Sequence, residues 1–373
     1  MPRARSSDPY AALVALRLQN SRLVGAPFAT PEAAVQWHGA MQAQDYAAVK
    51  WAIGQRVHDA PESDVESAID CGRLLRTHVL RPTWHLVIPA DIRWMLKLTA
   101  PRIRAFMSYY DRQLELDEAT FRRSNATIAK ALRGGRNLTR NELGSALSDA
   151  RIVASGQRLG HLLMRAELDG VVCSGPRRGK QFTYALLDER APPSPPLASD
   201  EALATLARRY VRSHGPCSVQ DFSWWSGLSV SDAKAGIEAI QPELERLELG
   251  QKTYWLFGKN RPPRLTEPTC HLLPNYDEYL VAHKDHAPLI AGTDAERLGG
   301  AHNLLRAPIV QNGKIIGAWR RTLEKSVVEV ELELLAAPSR AVRTALRAQA
   351  QRYAAFLGLR LRLVAPAGRR ARA

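Results

Sequence analysis

The stretch Met41-Gln42-Ala43-Gln44-Asp45-Tyr46 places two carboxamides two residues apart, just ahead of the apolar run Ala47–Ile53. On a continuous helix that spacing would turn the two amides about 200° apart. In an extended turn it lets both face the same way. Asp45 favours the second geometry, because it can cap the helix that follows. Each amide offers donor and acceptor atoms, so a converging pair can hold one water. Residue type alone equally allows two surface glutamines at a turn.

Other residues compete for a chemical role. Asp45 can stabilise a neighbouring cation, but its cap role explains it without chemistry. His85 follows Thr83-Trp84 on an expected strand, where it either faces the site or sits hydrogen-bonded in the core. Asp277-Glu278 invites a metal reading, yet no third ligand stands at a useful spacing, so the pair is taken as structural. Trp224-Trp225 can stack on a base or anchor a small helical core. The cysteines Cys71, Cys173, Cys217 and Cys270 lie far apart with no CxxC pair, which supports neither a zinc site nor a redox motif. Neither a metal nor an organic cofactor is expected.

The chain that must position these groups has 373 residues, with 52 Lys+Arg against 37 Asp+Glu, a formal net charge of +15. Its length suggests two or three domains. Its composition excludes collagen, extended disorder and a short disulfide scaffold. Charges interrupt every apolar run before the ~20 residues a membrane span needs, so no membrane role is expected. A sequence pI near 10.0 points to a polyanionic partner, nucleic acid above all. The charge is unevenly placed: no acid follows Glu333, while nine arginines run from Arg340 to Arg372. A second basic stretch spans Arg122, Lys130, Arg133, Arg136 and Arg140. Solvated helix faces in an arginine-rich chain are the alternative. The start, MPRARSS, is basic, but Ala11–Leu16 is too short for a signal-peptide core, so a cytoplasmic protein is expected.

Local signals predict the elements. Ala191–Ala198, with four prolines, reads as a stiff connector. Before it, Thr139 with Glu142 forms a capping-box pattern opening a helix through Ser148. Gln157–Leu168 carries Leu159, Leu162, Leu163 and Ala166 on one helical face. Val171–Cys173 and Gln181–Leu187 then frame a basic turn, Pro176-Arg177-Arg178-Gly179-Lys180. Helix, helix and basic-tipped hairpin make a winged helix-turn-helix, and Arg177, Arg178 and Lys180 become phosphate-contact candidates. A similar order recurs from Glu201 to Phe257. A looser one spans Thr30 to Ile88, with helices predicted over Pro31–Met41, around Ala47–Gln55 and over Ser63–Asp70. Asn312-Gly313 is the strongest hairpin signal in the chain. It is followed by an alternating strand Ser326–Leu334, a helix Arg340–Leu357 and a strand Leu359–Val364. The expected class is α+β.

Four stretches together resemble a known family, the AlkZ-type DNA glycosylases. They are Met41–Asp45; Arg81-Pro82-Thr83-Trp84-His85-Leu86-Val87; Leu273–Leu280 with Lys284-Asp285; and Asn312-Gly313 through Gly317-Ala318-Trp319-Arg320. The resemblance spans roughly residues 8–365 in consistent order. It implies three tandem winged helix-turn-helix motifs and a β-rich C-terminal region arranged as a C around duplex DNA. The corresponding segments here are 1–115, 116–190, 199–260 and 261–373. The family motif is Gln-x-Gln, or Gln-x-Asp in its YcaQ branch. This chain has the first form, so Gln42 and Gln44 take the catalytic positions, with Asp45 and His85 as possible assistants.

The implied chemistry suits those residue types. An N7- or N3-alkylated purine is cationic and already a good leaving group, so the enzyme needs to place a water against an oxocarbenium-like sugar and stabilise that cation. Neutral amides can orient water but are too weakly basic to deprotonate it at pH 7. Glycosidases acting on neutral sugars use paired carboxylates instead. No lysine lies in the motif to form a Schiff base, so a monofunctional enzyme leaving an abasic site is expected. Duplex DNA would be its partner, a monomer its working form and the cytoplasm, at the nucleoid, its location. The rival reading is a non-catalytic winged-helix DNA-binding protein, such as a transcriptional regulator.

Overall fold

The structure, a computed structural model, describes residues 8–292 and 307–364. The basic MPRARSS start and the arginines Arg369, Arg370 and Arg372 lie outside the described residues. Helix α1 (Ala11–Asn20) precedes a segment of α2 (Pro31–His38), β1 (Met41–Gln42), α3 (Tyr46–Gly54), α4 (Glu62–Asp70), β2 (Leu75–Leu80) and β3 (Thr83–Val87). Its antiparallel strands lie in the order β1-β3-β2.

The long helix α5 (Pro89–Gln113) leads to α6 (Glu118–Leu132), β4 (Leu138–Thr139), α7 (Arg140–Asp149), α8 (Gly156–Leu168), β5 (Val172–Ser174) and β6 (Thr183–Leu186), with strand order β4-β6-β5. After α9 (Leu187–Arg190) and the proline connector come α10 (Ser199–His214), α11 (Val219–Ser226), α12 (Val230–Ala239), β7 (Leu244–Leu249) and β8 (Lys252–Phe257). Here the first strand has shrunk to a bridge between Cys217 and Trp255. Among the described residues, then, the order helix–strand–helix–helix–hairpin occurs three times, each time with the first strand paired to the last. That is the order of a winged helix-turn-helix.

The remaining strands form one sheet: β9 (Cys270–Leu272), β10 (Pro308–Gln311), β11 (Lys314–Leu323), β12 (Val327–Leu334) and β13 (Arg360–Val364), in the order β13-β12-β11-β10-β9. Short helices α13 (Glu278–Val281) and α14 (Ala287–Ile290) follow β9, and α15 (Arg340–Phe356) carries the chain across to β13, which runs parallel to β12. Asn312 (φ 48°) and Gly313 (φ 85°) make the tight β10–β11 turn, and a Cβ on Gly313 would lie 2.7 Å from Val14. The class is α+β, as the sequence indicates.

Local chemistry sets the helix starts. Thr30 Oγ1 accepts the Ala33 N–H (3.2 Å) with Pro31 at the first helical position. Thr139 and Glu142 cap each other reciprocally, and Ser218 and Asp221 do the same for α11. Two boundaries differ from expectation. The strand expected over Gln181–Leu187 covers Thr183–Leu186, with Leu187 opening α9. The helix predicted over Pro31–Met41 stops at His38, because Gly39 (φ 79°) takes a left-handed conformation that turns the chain out of the helix. Met41 and Gln42 thereby become a strand opposite Leu86 and His85.

That short strand lies between two cores. On one side Met41 and Leu86 join Trp51 and the C-terminal residues Leu272, Trp319 and Tyr353. The Trp51 indole also donates to the Leu272 carbonyl (2.7 Å). On the other side Val79 and Val87 pack with α5 and with Tyr210 and Trp225 of the third segment. The second segment has its own core around Phe121, Ile128, Leu143 and Leu162. The first segment is thus wedged between its neighbours, and β1 is fixed from both faces.

Candidate active site

Gln42 ends β1 with its side chain on the face opposite Met41, Ala43 is fully buried, and Gln44 stands past the strand in the bend that leads to α3. The backbone linking them is pinned. The Ala43 N–H donates to the Trp84 carbonyl (2.7 Å), and the Ala43 carbonyl accepts Arg76 Nε (3.0 Å). Asp45 Oδ1 accepts the Ala48 N–H (3.0 Å) and caps α3, as its position in sequence suggests. Gln44 is exposed, and its Oε1 lies 3.5 Å from the Trp84 N–H. Gln42 is only 8 % exposed, and its Oε1 has no hydrogen-bond partner among the described residues.

His85 faces Gln42 across the β1–β3 pair, and Thr77 of β2 faces His85, so all three side chains line one face of the sheet. His85 is fully buried, which pushes its imidazole well below the usual histidine range; the nearby Arg81 adds to the effect. Its Nδ1 sits 2.9 Å from the Thr83 carbonyl, which can only accept, so Nδ1 carries the proton. Nε2 is then a bare lone pair, and neither it nor Thr77 Oγ1 has a partner among the described residues. A row of unfilled polar atoms therefore begins at Gln42. Buried polar atoms of this kind call for a water or a ligand.

Arg81 stands at the tip of the β2–β3 wing in a left-handed conformation (φ 55°). The wing tip docks against the end of α11, where a Cβ on Gly227 would lie 3.1 Å from the Arg81 backbone nitrogen. Its guanidinium lies 5.7 Å from the Trp224 ring, which is 46 % exposed, while Trp225 is buried. On the other flank of the motif a cleft of about 630 Å³ is lined by Asp45, Ala48, Asn275, Trp319, Arg320 and Arg321. The site thus has an aromatic edge on one side and, on the other, a cleft in which Arg320 and Arg321 stand beside Asp45 and Glu333.

Sequence reasoning treated Asp277-Glu278 as structural without saying what the pair holds. Asp277 makes a bidentate buried ion pair with Arg56 (2.7 and 2.9 Å) just beyond α3. Glu278 Oε1 accepts the backbone N–H of Gln42 (2.6 Å). The acidic pair therefore clamps the motif-bearing segment at both ends. These partners lie 221 and 236 residues apart, and the only sequence signal was two adjacent acids without an evident partner.

The second wing is also engaged. The Arg177 guanidinium covers the Tyr46 ring (4.8 Å) and approaches Glu66 (3.6 Å), and its N–H donates to Asp70 (2.9 Å). Arg178 pairs with Glu142 (2.7 Å) at an exposed position, and Lys180 is exposed. Arg122, Lys130, Arg133, Arg136 and Arg140 are all exposed. In the basic tail the charges divide. Arg352 folds onto the Gly54 and Val57 carbonyls, Arg362 pairs with Glu324 (2.9 Å), and Arg340, Arg343 and Arg347 are exposed. Among the described residues no three His, Cys, Asp or Glu are grouped to hold a metal, and no helix is long and apolar enough to cross a membrane.

Comparison with known proteins finds relatives of this chain. A family model for AlkZ-like DNA glycosylases matches residues 35–356. A curated relative from Streptomyces sahachiroi, named an interstrand DNA cross-link repair glycosylase, is 26 % identical over 311 residues, covering 77 % of this chain and 81 % of the relative. The solved structure of the Streptomyces sahachiroi DNA glycosylase AlkZ superposes with a TM-score of 0.74 at 22 % identity. That superposition covers 97 % of this chain and 100 % of the other, a likeness of fold.

Proposed function

This chain belongs to the AlkZ-like DNA glycosylase family, and we propose that it hydrolyses the N-glycosidic bond of cationic N7- or N3-alkylated purines in duplex DNA, crosslinked purines included. Gln42 and Gln44 orient the water. Gln42 Oε1 accepts one of its hydrogens, and the exposed Gln44 amide holds it toward the sugar. The water oxygen bonds to C1′ as the C1′–N9 bond breaks. The bonding pair goes to the purine and cancels its charge, and the water's proton passes to solvent. The products are a neutral base and an abasic site. His85 stays neutral at pH 7, so it does not repel a cationic lesion, and its bare Nε2 can accept from water beside Gln42. Asp45 serves as the helix cap.

DNA is gripped electrostatically. Lys180 and Arg178 on the second wing, with the exposed arginines of α6, are the proposed phosphate contacts. Arg177 holds that wing onto the segment bearing the motif. We take the three winged segments, 1–115, 116–190 and 199–260, with the C-terminal region 261–373, as one monomeric clamp around the duplex, working at the nucleoid.

The observation that carries this reading is the buried, unfilled carbonyl oxygen of Gln42, in a row with His85 Nε2 and Thr77 Oγ1 on a backbone pinned from both sides, with the exposed amide of Gln44 two residues on. A duplex holding one N7-methylguanine tests it. Wild-type protein should yield abasic sites that break only on alkali treatment. Tight binding to undamaged duplex with no abasic product from any cationic lesion would support the regulator reading instead.

A further inference from the structure

We propose that Glu278 is a positioning residue that acts through Gln42 and sets a negative charge behind the cationic transition state. This inference rests on the catalytic assignment of the glutamine pair. Glu278 opens α13, is 1 % exposed and uses both carboxylate oxygens. Oε1 accepts the Gln42 N–H at 2.6 Å, and Oε2 accepts the Trp225 indole N–H at 3.0 Å. The His214 ring nitrogen Nε2 lies 3.4 Å from Oε2, and the Arg81 guanidinium lies close enough to feel the acid's charge.

Burying a carboxylate is costly unless something needs it. The two N–H groups it receives are neutral and come to two different oxygens, so a carboxylate accepts both where an amide, with one acceptor oxygen, accepts only one. What a neutral acceptor cannot supply is charge. The hydrolysis begins from a cationic purine and passes through a cationic sugar, and the glutamine pair itself has none to offer. A buried carboxylate one hydrogen bond behind Gln42 is placed to stabilise that cation with no reorganisation at the moment of reaction. Asp277 has a different task. Its ion pair with Arg56 is complete, and it anchors the far end of the same segment.

The division of labour explains how the site combines uncharged water-orienting groups with a cationic substrate. The amides touch the water, and the acid sits behind them, out of reach of the water. Nothing in this arrangement gives Glu278 a proton to move, so it contacts neither substrate nor nucleophile.

The test compares Glu278→Gln with wild type and with Gln42→Ala, using single-turnover excision of N7-methylguanine, affinity for the same duplex, and thermal unfolding. Glu278→Gln keeps the shape and an acceptor for the Gln42 N–H but removes the charge. Its amide nitrogen then meets the Trp225 indole N–H, so it is expected to bind the duplex within about twofold but to unfold below the wild-type temperature. Its excision should fall on the order of 10- to 100-fold, with Gln42→Ala falling further. A wild-type rate in Glu278→Gln alongside a large loss in Gln42→Ala overturns this inference alone. A wild-type rate in Gln42→Ala overturns the catalytic assignment itself. Should Glu278→Gln not fold, Glu278→Ala is assayed with formate against equal chloride. Recovery with formate alone supports the role of charge, and no recovery overturns it.

Discussion

Asp45 can be tested as a cap and as a charge by two substitutions that separate the roles. Its Oδ1 takes the Ala48 N–H at 3.0 Å, with Asp45 in the extended backbone region (φ −99°, ψ 107°) typical of a helix cap. Removing such a cap costs about 1 kcal/mol, within a range of about 0.5–2, whereas asparagine caps as well as aspartate. Asp45→Ala should therefore lose about 1 kcal/mol of unfolding free energy, read from the urea midpoint. The same loosening frees the backbone next to Gln44, so excision should slow by about fivefold, the factor that 1 kcal/mol represents. Asp45→Asn should match wild type in both measurements. An Asp45→Asn protein that keeps its stability yet loses more than about 100-fold in excision would refute the cap role, because the charge would then be chemical. The cap role is equally refuted if Asp45→Ala shows no loss of stability.

Three further outcomes follow from the structure. Arg56 and Asp277 are both fully buried, so Arg56→Ala strands a carboxylate and should cost about 3–5 kcal/mol in a denaturant titration; a cost under 1 kcal/mol would mean the clamp is not closed in solution. Burial holds His38 and His85 well below the usual histidine value of 6.5, His271 down to about 4 and His283 to about 3. The unfolded chain therefore takes up protons below about pH 6.5 while the folded protein does not. Stability should fall as pH drops through that point, by about 1.4 kcal/mol per pH unit for each histidine, and the His271 share should level off near pH 4. An unfolding midpoint unchanged between pH 7.5 and 5.5 would contradict this. Lys180→Ala should weaken duplex binding and lower the salt slope of log affinity by about 1, which a titration series at rising salt measures; an unchanged slope removes Lys180 from the interface.

What the sequence revealed was what depends on near neighbours. The second segment was legible from Thr139 on, because Thr139–Glu142 capping and the Leu159/Leu162/Leu163 face act within a few positions, whereas its first helix, α6, was not. The Asn312-Gly313 hairpin was equally plain, since two consecutive positive φ angles are a local demand. The Pro31–Met41 helix ran too far because Gly39 and the pairing with β3 outweigh helix propensity at Met41 and Gln42. Proximity across the chain stayed hidden. No local pattern says that Glu278 reaches Gln42, that Arg177 leaves its wing tip to cover Tyr46, or that the first wing docks on α11. The motif could be located in sequence, whereas the packing that makes it rigid comes from segments up to 236 residues away.

The most direct measurement is single-turnover excision of N7-methylguanine from duplex DNA by wild type, Gln42→Ala and Gln44→Ala, with duplex affinity measured in parallel. Wild type should give abasic product, each variant should lose on the order of 100-fold or more, and affinity should stay within about twofold. Equal abasic yield from all three proteins would contradict it.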